Sequence, residues 1–222
     1  MKSLVLFVLF IAGISLFSAD NVSAEKNTKI LLDTDMGEIE IVLYDKTKEH
    51  KENFLNLVNL GFYDDLLFHR IIKGFMIQGG DPQSKNAPKE KALGSGGPGY
   101  NVPAEIIPEY YHKKGAISAA RTGDNVNPMR RSSGSQFFIV TGKVFKSDEL
   151  EMYEQRLNTK FTEEQKHIYT TIGGAPMLDA QYTVFGEVVK GLDIVEKLEK
   201  VKTGSNDRPL EDVKIKTVKI IE

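Results

Sequence analysis

The sequence predicts a mainly β domain, a barrel or a sandwich, with two helices packed on it and one helical excursion. Short runs of β-branched and aromatic residues recur along the chain, each bounded by Gly, Pro, Asn, Asp or Ser. The 19 Gly and 8 Pro among 222 residues suit a turn-rich β protein better than a helical bundle. Outside the excursion, only two stretches space their apolar residues as a helix does.

The elements follow in order. Thr28 to Asp35 and Glu38 to Tyr44 alternate apolar and polar residues on either side of Met36-Gly37, which predicts a hairpin. A helix from Lys48 to Leu60 comes next, with Phe54, Leu57 and Val58 on its core face and Gly61 as its stop. Phe68 to Ile72 and Phe75 to Gln78 are strands joined by a tight turn at Lys73-Gly74 and ended by Gly79-Gly80-Asp81-Pro82. Alternation puts Met76 and Gln78 on one face and Ile77 on the other. Ala116 to Ala120, Gln136 to Val140, Tyr182 to Val189 and Val213 to Ile221 are further strands, and Leu192 to Leu198 is a second short helix.

In the Gln136 strand both faces are partly apolar: Gln136, Phe138 and Val140 share one, Phe137 and Ile139 the other. Such a strand is covered on both sides, or has one side in a core and the other in a ligand groove. The pattern by itself favours the first.

The excursion runs from Phe145 to Gly173 (residues 145–173). It is highly charged, has Leu150, Tyr153 and Leu157 at helical spacing, and carries Thr162-Glu163-Glu164-Gln165 as a capping box. It reads as a helical hairpin inserted in the β domain. A surface loop tolerates such an insertion at little cost, so a solvated excursion ranks above a role in shaping a groove.

Several function classes drop out. A formal net charge of −2 sets no strong field for nucleic acid or an anionic membrane. With no cysteine there is neither a disulfide frame nor thiol chemistry. His50, His69, His112 and His167 never pair at metal-ligand spacing, and no G-x-S-x-G elbow singles out a serine. Neither a metal, a cofactor nor a covalent intermediate is expected. Gly94, Gly96 and Gly99 satisfy G-x-G-x-x-G, but no helix begins at the third glycine, so they read as an irregular loop. Lys2, an apolar run from Leu4 to Phe17 and Val22-Ser23-Ala24 predict a signal peptide over residues 1–24. The apolar run is shorter than the roughly 20 residues of a membrane span. The expected mature domain is 25–222, exported to the periplasm or secreted, with no membrane span left after cleavage.

The run Phe68-His69-Arg70-Ile71-Ile72-Lys73-Gly74-Phe75-Met76-Ile77-Gln78-Gly79-Gly80-Asp81, with Gly134-Ser135-Gln136-Phe137-Phe138-Ile139 later, resembles the signature of the cyclophilins nearly letter for letter. These are peptidyl-prolyl cis-trans isomerases. The likeness continues through Val184 to Val188 and Gly191 to Val195, and back to Asn53-Phe54 and Gly61 to Asp64. It spans nearly everything from Lys29 to Glu222 except the insertion. The resemblance implies a closed, eight-stranded antiparallel barrel capped by two helices. It also implies an enzyme that speeds rotation about X-Pro bonds in proline-containing peptides and folding proteins, which the expected export would place outside the cytoplasm.

By position, the resemblance makes Arg70 the catalytic residue and Phe75, Met76, Phe138 and Leu178 the walls of a proline pocket. Gln78 and Gln136 bind the substrate backbone. Ala120 keeps its match, whereas Arg121 replaces an asparagine that works largely through its backbone. Tyr182 stands where many members have histidine, and can still close the pocket and donate a hydrogen bond. Met177 stands where many eukaryotic members have tryptophan, which implies weak binding of cyclosporin-like ligands. No heptad run or long apolar edge demands self-association, so a monomer is expected. Two rival readings stay open: a chaperone that holds proline-containing segments with little turnover, and a hydrolase, which needs a positioned nucleophile.

Overall fold

The computed structural model describes residues 28–221, so the expected signal peptide lies outside the described residues. In chain order the strands are β1 (Thr28–Thr34), β2 (Gly37–Leu43), β3 (Arg70–Ile72), β4 (Met76–Gly79), β5 (Asn101–Val102), β6 (Ala116–Ala119), β7 (Ser132–Ser133), β8 (Phe137–Val140), β9 (Val184–Lys190) and β10 (Ile215–Ile220). Eight form one antiparallel sheet in the order β10-β1-β2-β9-β6-β8-β4-β3, and β5 pairs with β7 in a separate ribbon.

The expected closed barrel is instead a sheet curled nearly shut. Its outer strands β3 and β10 share no ladder, and a single bridge, Leu67 with Lys214, spans the gap. Three backbone bonds help: Phe68 to the Val213 carbonyl (2.9 Å), Ile215 to that of Leu66 (2.8 Å) and Asp65 to that of Ile215 (2.8 Å). Strand β3 is only three residues long, so its ladder stops short of β10, and the 3₁₀ turn Ser205–Asp207 packs close to it.

Register decides what faces where. Ile77, Ile139 and Ile117 align across β4, β8 and β6 and point into the main core with Ile30, Leu32, Ile39 and Phe137. The next row, Arg70, Gln78, Phe138 and Ser118 across β3, β4, β8 and β6, turns to the other face. There Met76, Phe138 and Val140 join a second cluster with Phe75, Leu178 and Tyr182. Strand β8 therefore has a core on one side and a groove wall on the other, the less favoured of the two arrangements that its pattern allows.

Helix α1 (Lys48–Asn59) buries Phe54, Leu57 and Val58 as expected. The Thr47 hydroxyl does not cap it. Glu105 does, accepting from the backbone N–H groups of Glu49 (3.1 Å) and His50 (3.0 Å), where a carboxylate meets the positive end of the helix. The insertion folds as α2 (Ser147–Leu157) and α3 (Glu163–Thr171), and the predicted capping box is present: Thr162 N–H donates to Gln165 Oε1 (2.8 Å) and Gln165 N–H to Thr162 Oγ1 (3.2 Å). Phe145, Leu150, Phe161 and Tyr169 give it a small core of its own. Helix α4 spans Leu192–Leu198, as its spacing predicts.

Candidate active site

The hairpin β3–β4 sets Arg70 directly across from Gln78 at the rim of a groove of about 1080 Å³. Phe75, Met76, Phe138, Leu178 and Tyr182 line it, together with Ala120 and Arg121. Nine of the eleven residues singled out from the sequence thus share one cavity. Phe138 is buried and meets Tyr182 edge to face, ring centroids 6.1 Å apart. A flat apolar cup beside a guanidinium is the result.

Two residues fall elsewhere. Gln136 is buried and does not line the groove: its Nε2 donates to the carbonyls of Gly94 (3.0 Å) and Gly96 (2.7 Å), and its Oε1 accepts from Gln78 Nε2 (2.9 Å). It holds the 94–96 loop and orients Gln78. Asp81 grips the same loop through the N–H groups of Gly94 and Gly96 (2.5 and 3.3 Å), and a Cβ on Gly96 would stand 2.0 Å from its Oδ1. Of the three glycines in the G-x-G-x-x-G string, Gly96 serves this close packing, whereas a Cβ on Gly99 would meet nothing within 4 Å. Met177 sits behind the cup and touches both the groove cluster and the core of the insertion.

Arg121 lines the groove with a committed guanidinium. Its Nε donates to the Gln181 carbonyl (2.9 Å), Nη1 reaches the Thr122 carbonyl (3.0 Å) and Asp124 (2.6 Å), and its Cζ lies 4.4 Å from the centroid of the Tyr182 ring. Its side chain therefore props up a groove wall.

Sequence reasoning missed the far arm of the groove, built from residues 89–94 and 204–210, and with it Asp207, whose Oδ2 accepts from Arg70 Nε at 3.3 Å. No local pattern announces Asp207, since the contact joins β3 to a turn 137 residues away. His69 forms part of the floor, and burial pulls its pKa from 6.5 to about 4 despite the opposing charge of Asp81, so the ring is neutral at pH 7.

The structure also contains two serine–histidine–carboxylate chains. Ser118 Oγ lies 3.1 Å from His112 Nε2, and His112 Nδ1 lies 2.7 Å from Asp179 Oδ1. Ser132 Oγ lies 2.8 Å from His50 Nε2, and His50 Nδ1 lies 2.6 Å from Glu105 Oε2. This is the spacing of a hydrolytic triad, but nucleophilic attack needs an exposed oxygen. Ser118 is 0% and Ser132 1% exposed, neither lines the groove, and Ser118 also donates to the Thr183 carbonyl at 2.8 Å. Both chains are internal struts, and the hydrolase reading gains no nucleophile from them. Among the described residues, no group of three or more His, Asp or Glu could hold a metal ion.

Comparison with known proteins places this geometry. The profile described as cyclophilin type peptidyl-prolyl cis-trans isomerase/CLD matches residues 29–220. A candidate peptidyl-prolyl cis-trans isomerase of Staphylococcus saprophyticus is 34% identical over 198 residues, 87% of this chain and 92% of that protein. A candidate bifunctional phosphatase/peptidyl-prolyl cis-trans isomerase of Streptococcus pyogenes is 35% identical over 197 residues, 87% of this chain but only 39% of that longer protein. A crystal structure of a Cryptosporidium parvum cyclophilin type peptidyl-prolyl cis-trans isomerase superposes with a TM-score of 0.63 at 25% identity, covering 88% of this chain and 98% of that one. The same protein in the presence of the dipeptide Ala-Pro gives 0.62, covering 87% and 99%. A match along the whole described domain, together with the arginine-edged apolar cup, means that the chain belongs to the cyclophilin-type peptidyl-prolyl cis-trans isomerase family.

Proposed function

We propose that the groove takes the proline ring of an X-Pro segment against Phe75, Met76, Phe138, Leu178 and Tyr182, and that Arg70 catalyses rotation about the preceding amide bond. Amide resonance imposes a barrier of roughly 20 kcal/mol, so the uncatalysed exchange takes tens of seconds or more. Rotation breaks no covalent bond, and no nucleophile is needed. As the amide twists, its nitrogen becomes pyramidal and gains a lone pair that the planar ground state lacks. A guanidinium held at the rim donates to that lone pair and so binds the twisted state more tightly than either planar one, which lowers the barrier. Gln78 holds the substrate backbone from the adjacent strand, its amide oriented by Gln136 at 2.9 Å.

The observation that carries this reading is the register of Arg70 against Gln78 at the edge of an apolar cup. The same cup also suits a chaperone that holds proline segments, and the presence of Arg70 favours turnover. Refolding of a protein limited by X-Pro isomerisation separates the two. Acceleration at one enzyme per hundred substrates is expected, whereas a requirement for stoichiometric protein contradicts catalysis.

The working site of this activity is outside the cytoplasm, in the periplasm, on clients that are unfolded or folding. Residues 1–24 support export, and among the described residues no helix is long and apolar enough to cross a membrane. Sequencing the N-terminus of the protein recovered from cells is expected to give Glu25, and a start at Met1 contradicts export by cleavage.

A further inference from the structure

Beneath the cup, Asp179 is gripped from two sides. Tyr169 of α3 donates its hydroxyl to Oδ2 at 2.6 Å, and His112 donates to Oδ1 from its backbone N–H (2.9 Å) and from Nδ1 (2.7 Å). Tyr169 is fully buried, as is His112 but for 1% of its surface. Asp179 follows Leu178 directly, and Ala180 after it takes a left-handed φ of 58°, a costly conformation for a residue with a Cβ that its surroundings must hold in place. The turn then delivers Tyr182. One carboxylate thereby fixes a strained turn that has a groove wall at each end. The imidazole of His112 backs the same walls, 6.1 Å from the Phe138 ring and nearly parallel to it, and 6.4 Å from the Tyr182 ring, edge on. Met177 completes the link by packing on both the insertion and the cup.

We propose that the helical insertion is a brace for the groove, and that Asp179, held by Tyr169 and His112, is the positioning residue that sets Leu178 and Tyr182 against the substrate. This inference rests on the assignment of Leu178 and Tyr182 as pocket walls. It gives the insertion work beyond a solvated excursion: α3 supplies one of three hydrogen bonds to a carboxylate that the β domain alone holds from one side only. The effect falls on substrate affinity, because pocket walls act on planar and twisted amide alike.

The test compares Tyr169→Phe, which removes one hydroxyl, with Glu154→Gln, which loosens the insertion at the end of α2 without touching Asp179, each in the full chain. For Tyr169→Phe on an Ala-Pro peptide, KM is expected to rise about three- to tenfold with kcat within about twofold, the signature of lost uniform binding. Because Glu154→Gln leaves the Tyr169 hydroxyl on Asp179, it is expected to lower the thermal midpoint and leave KM alone, and a rise in KM as large as that of Tyr169→Phe overturns the role of this hydrogen bond. Equal KM in wild type and Tyr169→Phe overturns the brace. Leu178→Ala keeps that outcome distinct from a failure of the pocket assignment: if it too leaves KM unchanged, the wall assignment has failed instead. Should Tyr169→Phe not fold, NMR of the wild-type protein decides. Titration with the peptide is expected to shift the Tyr169 amide along with that of Leu178, and a Tyr169 signal that stays put while Leu178 moves overturns the proposal.

Discussion

Arg70 Nε lies 3.3 Å from Asp207 Oδ2, so the guanidinium at the rim of the cup is held from behind by a turn at the far end of the chain. Both side chains are about two-fifths exposed, at 40% and 44%, so the pair adds little to stability and acts on the orientation of the guanidinium.

Asp207→Asn keeps the size of the side chain and removes its charge. Its effect on unfolding free energy in urea is expected to stay under about 1 kcal/mol. Turnover of an Ala-Pro peptide is expected to fall severalfold through kcat, because Arg70 then samples orientations that miss the twisted amide. Unchanged kcat would show that the β3–β4 hairpin alone aims the guanidinium.

The two glutamines are expected to separate cleanly. Gln136→Ala leaves the carbonyls of Gly94 and Gly96 without their side-chain donor, and is expected to cost about 2–3 kcal/mol of stability. Gln78→Ala is expected to raise KM with a stability change under about 1 kcal/mol, since its side chain is only partly buried at the groove. Urea melts paired with peptide kinetics on the two variants check this, and the reverse pattern would contradict the placement of Gln136.

How much of this is legible in the sequence varies with the range of the contact. Helix α4 can be read to the residue, and α1 to within one, because apolar spacing and a stop at Gly61 are local signals. The failure of β3 and β10 to pair cannot, since no local pattern says how closely two strands far apart in sequence will meet. The site shows the same division. Strand alternation puts Met76 and Gln78 on one face, and the pairing agrees. Periodicity says nothing about where an amide points, so the inward turn of Gln136 toward the 94–96 loop stays hidden. Likewise the capping box at Thr162 marks the start of α3, but the bond of Tyr169 to Asp179 appears only once the hairpin has folded back.

Acid stability follows from His69. Its folded pKa of about 4 lies below the ordinary 6.5, so the unfolded chain binds more protons between these values and stability falls as pH drops from about 6.5 toward 4. Burial lowers His50 as well, with the same sign. Between pH 6.5 and 4.5, His69→Gln is expected to lose about 2 kcal/mol less unfolding free energy than wild type. Parallel pH profiles in the two proteins would contradict the neutral, buried imidazole.

The decisive measurement is cis-to-trans isomerisation of an Ala-Pro peptide by the protein from Glu25 onward, beside an Arg70→Ala variant with an unchanged circular dichroism spectrum. The wild-type protein is expected to accelerate the exchange, and the variant to lose about 10²–10³ of kcat/KM, as when one transition-state donor is removed. A folded Arg70→Ala variant that keeps its rate would contradict the role given to the guanidinium and return the catalysis to the apolar cup alone.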